Sequence, residues 1–87
     1  MKIKEGFVVR ELAGEYVVVA LGEASKIFNG IIKLNDSGRS IWDLLSQGCE
    51  REDAISELMK EYTVDRDTVA ADFDRFVKIL KGANILE

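Results

Sequence analysis

The stretch Ile31-Ile32-Lys33-Leu34-Asn35-Asp36-Ser37-Gly38-Arg39-Ser40-Ile41-Trp42 holds the joint between two kinds of structure. Its first four residues set three aliphatic side chains around one lysine, the composition of a short strand. From Asn35 onward apolar residues recur every three or four positions, the period of a helix, and Asn35, Asp36 or Ser37 can each cap its first turn. The chain before the joint reads as sheet, and the chain after it as helix.

Working back from the joint, Phe7-Val-Val-Arg-Glu-Leu12 and Glu15-Tyr-Val-Val-Val-Ala-Leu21 are rich in β-branched and aromatic residues. Ala13-Gly14 between them can supply the positive φ of a tight hairpin. In the second strand Tyr16, Val18 and Ala20 point one way and Val17, Val19 and Leu21 the other. Both faces are therefore apolar, which calls for cover on each side. Residues 22–26 are a polar connection. Phe28 and residues 31–34 make a third, shorter strand, with Asn29-Gly30 either a bulge in it or a turn of its own.

Working forward, the chain contains no proline to interrupt a helix. The first helix places Ile41, Leu44 and Leu45 on one face, spans two or three turns and ends at Gly48. A second, over about residues 50–62, carries Ala54, Ile55, Leu58, Met59 and Tyr62 as one stripe, with Cys49 at its cap position. Asp65 caps the third and longest, whose core side holds Val69, Phe73, Phe76, Val77 and Leu80, with Gly82 as its stop. Asn84-Ile85-Leu86 then folds apolar side chains back onto the core.

Composition bounds what such a chain can do. Eighty-seven residues, 47% of them hydrophobic and 32% charged, make one domain over residues 1–87. A domain of this size buries only roughly 60–65% of the surface its unfolded chain exposes. The N-terminus has no apolar stretch like that of a secretion signal, and the longest apolar run, residues 17–21, is too short to cross a bilayer, so a cytoplasmic protein with no membrane contact is expected. Cys49 is the single cysteine and histidine is absent, so neither a disulfide nor a zinc site is expected, and no cofactor. A net charge of −4 with a pI near 4.8 argues against nucleic acid as a partner, since phosphate binding needs many Lys and Arg contacts.

Several residues invite functional readings that packing explains better. Trp42, beside Ile41 and Leu45, reads as core. Asn35 reads as a helix cap. Asp72 and Asp74 stand two apart on a helix and point about 200° away from each other, so they cannot share one proton or one ion. They are expected to be solvated or paired with Arg75 or Lys78. Cys49, near a helix start, reads as an inert replacement for serine.

The residues at the joints resemble those of the PqqD-like family. The pattern is Leu34-Asn35, Gly38, Ile41-Trp42, then Tyr62-Thr-Val64-Asp65, Asp72-Phe73, Phe76-Val77, Leu80 and the closing Ile85-Leu86. The similarity covers nearly the whole chain, through motifs that are each short. It implies an α+β, winged helix-turn-helix-like fold, a three-stranded antiparallel sheet followed by three helices. It also implies a recognition element for ribosomally made, post-translationally modified peptides. In that family the leader of a precursor peptide joins the third strand as an extra antiparallel strand against the third helix. The partners are then the leader peptide and a modifying enzyme, often of the radical-SAM type.

Carried onto this chain, the docking strand is Ile31, Ile32, Lys33 and Leu34, an edge on which Lys33 is the only charge. The ordinary alternative is a core strand whose edge the chain's own termini cover. On the third helix, the flank with Ala70, Asp74, Val77 and Lys81 is the expected groove wall. A helical wheel does not separate it from the opposite flank, with Asp72 and Ile79. An exposed third strand also leaves monomer or weak homodimer open.

Two other classes compete. A winged-helix DNA-binding regulator shares the architecture, but its recognition helix would set Arg66, Arg75, Lys78 and Lys81 against Asp65, Asp67, Asp72 and Asp74, leaving no positive face. An enzyme lacks its parts: there is no histidine, no glycine-rich phosphate loop and no serine with an evident base, so no catalytic residues are expected.

Overall fold

The computed structural model describes residues 1–26, 28 and 30–87. Three strands, β1 (Phe7–Leu12), β2 (Glu15–Ala20) and β3 (Ile32–Leu34), precede three helices, α1 (Asp36–Gln47), α2 (Arg51–Glu61) and α3 (Arg66–Gly82). The α+β order read from the sequence is the order found, and it is compatible with a winged-helix layout.

Ala13 (φ 53°) and Gly14 (φ 81°) both take the left-handed conformation, as the two-residue hairpin turn between β1 and β2 requires. The sheet is antiparallel in the order β1-β2-β3. Residues 22–26, expected as a plain connection, form a 3-10 turn that buries Ala24. Gly6 lets it close, because a Cβ there would stand 2.8 Å from that of Ala24. The bulge or turn expected at Asn29-Gly30 lies outside the described residues.

Among the described residues, one face of the sheet has the cover that the sequence calls for on both. Phe7, Val18 and Leu34 join Ile41, Trp42, Leu45, Ile55, Phe73 and Leu80 in a single core, and Val17, on the other face, is not part of it. Val17 is nevertheless 7% exposed. Arg10 and Lys33, its partners across the two ladders, have stems long enough to shelter it without a second layer.

The helix ends obey their caps, with two corrections. Asn35 Oδ1 accepts from the Gly38 N–H at 2.8 Å and Asp65 Oδ1 from that of Thr68 at 2.9 Å. The cap of α2, however, is Glu50, without a side-chain bond. Cys49 is instead held by the N-terminus, its N–H donating to the Met1 carbonyl at 2.9 Å and its carbonyl accepting from the Met1 amino group at 2.8 Å. At the other end, Gly82 lies within α3, and the left-handed residue that stops the helix is Asn84 (φ 62°). Ile85 N–H reaches the Leu80 carbonyl and Asn84 N–H that of Lys81, the bond pair of a Schellman ending. α1 has 12 residues, slightly more than the two or three turns expected.

That ending turns Ile85 and Leu86 into the core, at 0% and 6% exposure. The two termini then clasp each other through the bridge Ile3↔Leu86, with Lys4 N–H on the Ile85 carbonyl and Glu87 N–H on that of Lys2. They do not pair with β3.

Candidate functional site

The register of the sheet decides which main-chain groups β3 leaves free. The hairpin closes on the pair Leu12–Glu15, and Leu21 N–H donates to the Gly6 carbonyl at 2.7 Å in the same alternation. Glu15, Val17 and Val19 therefore turn their backbone toward β1, and Tyr16 and Val18 turn theirs toward β3. In the second ladder Tyr16 faces Leu34 and Val18 faces Ile32, so Leu34 and Ile32 point their backbone inward. Lys33 points its N–H and carbonyl out of the sheet.

Beside this edge runs a groove of about 750 Å³. One wall is Ile32, Lys33 and Leu34; the other is Asp72, Arg75, Phe76 and Ile79 of α3; Tyr16 and Ile41 also line it. Phe76 is half-buried and Ile79 is 49% exposed, so the helix wall leaves apolar surface open to the groove. Arg39 sits 5.1 Å over the Tyr16 ring, a cation–π contact that fixes the ring in place.

The first turn of α1, with Asn35, Asp36, Ser37 and Gly38, lines one end of the groove. A Cβ on Gly38 would crowd the capping oxygen Asn35 Oδ1 at 3.1 Å and meet the Phe76 ring at an ordinary 3.6 Å, so glycine here leaves room for the cap beside the α3 wall. Asn35 and Gly38 thus shape the groove through capping and packing. Its charges are mixed: Lys33 pairs with Glu15 at 3.4 Å and Arg75 with Asp72 at 3.1 Å. Both pairs are exposed and add little to stability.

Of the residues expected at a peptide site, Ile32, Lys33 and Leu34 line the groove and Ile31 stands at its approach, 75% exposed. The flank expected on α3 does not face it. Ala70 and Val77, each 8% exposed, belong to the core. Asp74 turns to α2, where Arg51 Nε and Nη2 hold its two oxygens at 2.9 Å each, in place of the Arg75 or Lys78 partner expected. That guanidinium keeps the Asp74 carboxyl below the usual carboxylate range. Lys81 is exposed and does not line the groove. The physical reason is that α2 packs where the sequence leaves the wheel undecided, and it claims the Asp74 flank.

Tyr16, Ile41, Arg75 and Phe76 are groove residues that the sequence reading missed or took as core and pairing residues. Ile79 was the available signal, a large aliphatic off the core stripe of Phe73, Val77 and Leu80. Trp42, 3% exposed, is core as expected. The Cys49 thiol is pushed up from its ordinary pKa by burial, which suits an inert residue. Among the described residues there is no cluster of potential metal ligands, and no helix long and apolar enough to cross a membrane.

A solved structure described as TbiB1 in complex with the TbiA(beta) leader peptide is similar to this chain, with a TM-score of 0.78 and 31% identity over 100% of this chain and 95% of that one. No curated protein matches this chain. Residues 15–86, from the start of β2 to the clasped C-terminus, match the family described as coenzyme PQQ synthesis protein D (PqqD). The chain belongs to the PqqD family.

Proposed function

We propose that this protein binds the leader segment of a ribosomally made precursor peptide and presents it to a modifying enzyme, without itself catalysing a reaction. The observation that carries this reading is the outward main chain of Lys33, set beside a groove whose far wall is the half-open apolar surface of Phe76 and Ile79. An extended peptide laid there gains main-chain hydrogen bonds from β3, while every second side chain faces the groove, the two components of strand addition. The peptide-contacting residues are then Tyr16, Ile32, Lys33, Leu34, Asp72, Arg75, Phe76 and Ile79, with Ile31 at the approach.

The likeness to TbiB1, whose structure holds a leader peptide, supports a leader peptide as the ligand here. Family membership supports a role beside a maturation enzyme, of which the radical-SAM type is the one proposed. The DNA-binding alternative finds no support on α3, where Arg66 pairs with Glu52 and Arg75 with Asp72. The test is a calorimetric titration with the N-terminal segment of a short peptide encoded beside the gene. A Kd near or below about 1 µM is expected. Absence of heat from every such peptide, with folded protein, would contradict the reading.

A further inference from the structure

The groove does not stop at the first turn of α1. Ser37, Ile41 and Asp72 line it, and the same three residues also line a second, smaller cavity between α1, α2 and α3. This cavity, about 120 Å³, is completed by Leu58, Tyr62, Val64, Thr68 and Val69. Its floor is apolar, Ile41, Leu58 and Val69 being 3%, 3% and 5% exposed, while Val64 stands at its mouth 47% exposed. The Tyr62 hydroxyl is held at Ser40, 2.9 Å away, so the ring contributes to the lining while its polar end is occupied elsewhere. An apolar cavity of roughly 150 Å³ takes a benzene ring, so this one, somewhat smaller, matches a single aliphatic side chain such as leucine, isoleucine or methionine.

We infer that this cavity is an anchor pocket for one large apolar residue of the bound leader, located N-terminal to the segment that pairs with Lys33. The inference rests on the strand-addition reading above and deepens it. A peptide running antiparallel to β3 has its N-terminal end at Leu34, and the chain beyond that point passes Ser37 and Asp72 to reach the cavity mouth. The occupant is thus fixed by continuity: it is the same peptide, and its anchor is apolar because the floor offers no hydrogen-bond partner. Main-chain pairing at a three-residue strand is nearly independent of sequence, so a side-chain pocket beyond its end is where leader selectivity would arise.

The test is selection of a phage-displayed library of random 16-residue peptides on the whole protein, followed by titration of an enriched peptide against wild type, Lys33→Pro and Val64→Asp. Val64 is exposed, so its substitution leaves the core intact. The expected result is enrichment of a large apolar residue at a fixed distance N-terminal to the pairing segment. Replacing it with alanine should weaken binding about 10-fold or more. Val64→Asp should weaken wild-type peptide similarly and the alanine peptide much less. If Lys33→Pro abolishes binding while the alanine peptide and Val64→Asp each stay within about twofold of wild type, the pocket is overturned and strand addition stands. If Lys33→Pro binds as wild type does, strand addition fails and the pocket inference fails with it.

Discussion

Lys33 stands opposite Val17 in the β2–β3 ladder, at a position whose backbone bonds face away from β2. Proline is tolerated at such a site, because the N–H it removes faces outward. Lys33→Pro should therefore melt close to wild type and lose peptide binding. Ile32→Pro instead removes an N–H directed at Val18 and should cost about 1–3 kcal/mol of stability. Thermal melts and peptide titrations on the two variants separate these effects, and Ile31, two positions back from Lys33, shares its outward alternation.

Phe73 and Phe76 lie one turn apart on α3 with opposite fates, one fully buried and one half-open to the groove. Phe73→Ala should cost about 3–5 kcal/mol, enough to unfold much of a domain this small. Phe76→Ala should cost clearly less in urea denaturation, yet reduce peptide affinity about 10-fold.

How far the sequence could go is visible in that pair. Periodicity grouped both phenylalanines into one stripe, since a helical wheel resolves which residues share a face but not what packs against each flank. The element order, the hairpin at Ala13-Gly14 and the caps Asn35 and Asp65 were legible because each depends on local chemistry. The groove was half legible: its strand wall came from an edge with a single charge, while its helix wall depended on α2 claiming Asp74 through Arg51, a contact between residues distant in sequence. The uncovered outer sheet face was misread for a similar reason, since shelter from Arg10 and Lys33 leaves no apolar signature.

Asn35 caps α1 and supports the groove end through Gly38. Asn35→Ala should destabilise the fold by about 1 kcal/mol, lowering Tm by roughly 4–8 °C. Asn35→Ser should recover most of this, because a hydroxyl oxygen serves the same N–H. Differential scanning calorimetry on the two variants checks both.

Asp74 has its folded pKa depressed, first by the hydrogen bond from Arg51 and then by its charge. Stability from this pair is therefore present above the unfolded carboxylate pKa of about 3.9, and is lost as pH falls through the lower folded value. Asp74→Asn should flatten that part of the acid unfolding curve while leaving peptide binding at neutral pH unchanged, since Asp74 faces α2. A change in affinity would return the groove to the Asp74 flank.

Strand addition makes its sharpest statement about one amide. Hydrogen exchange followed by NMR reads the Lys33 N–H directly, with and without a bound leader segment. Protection of Lys33 on binding, together with shifts along Asp72, Phe76 and Ile79, is the expected result. Saturating peptide that leaves Lys33 exchanging at its free rate would contradict it.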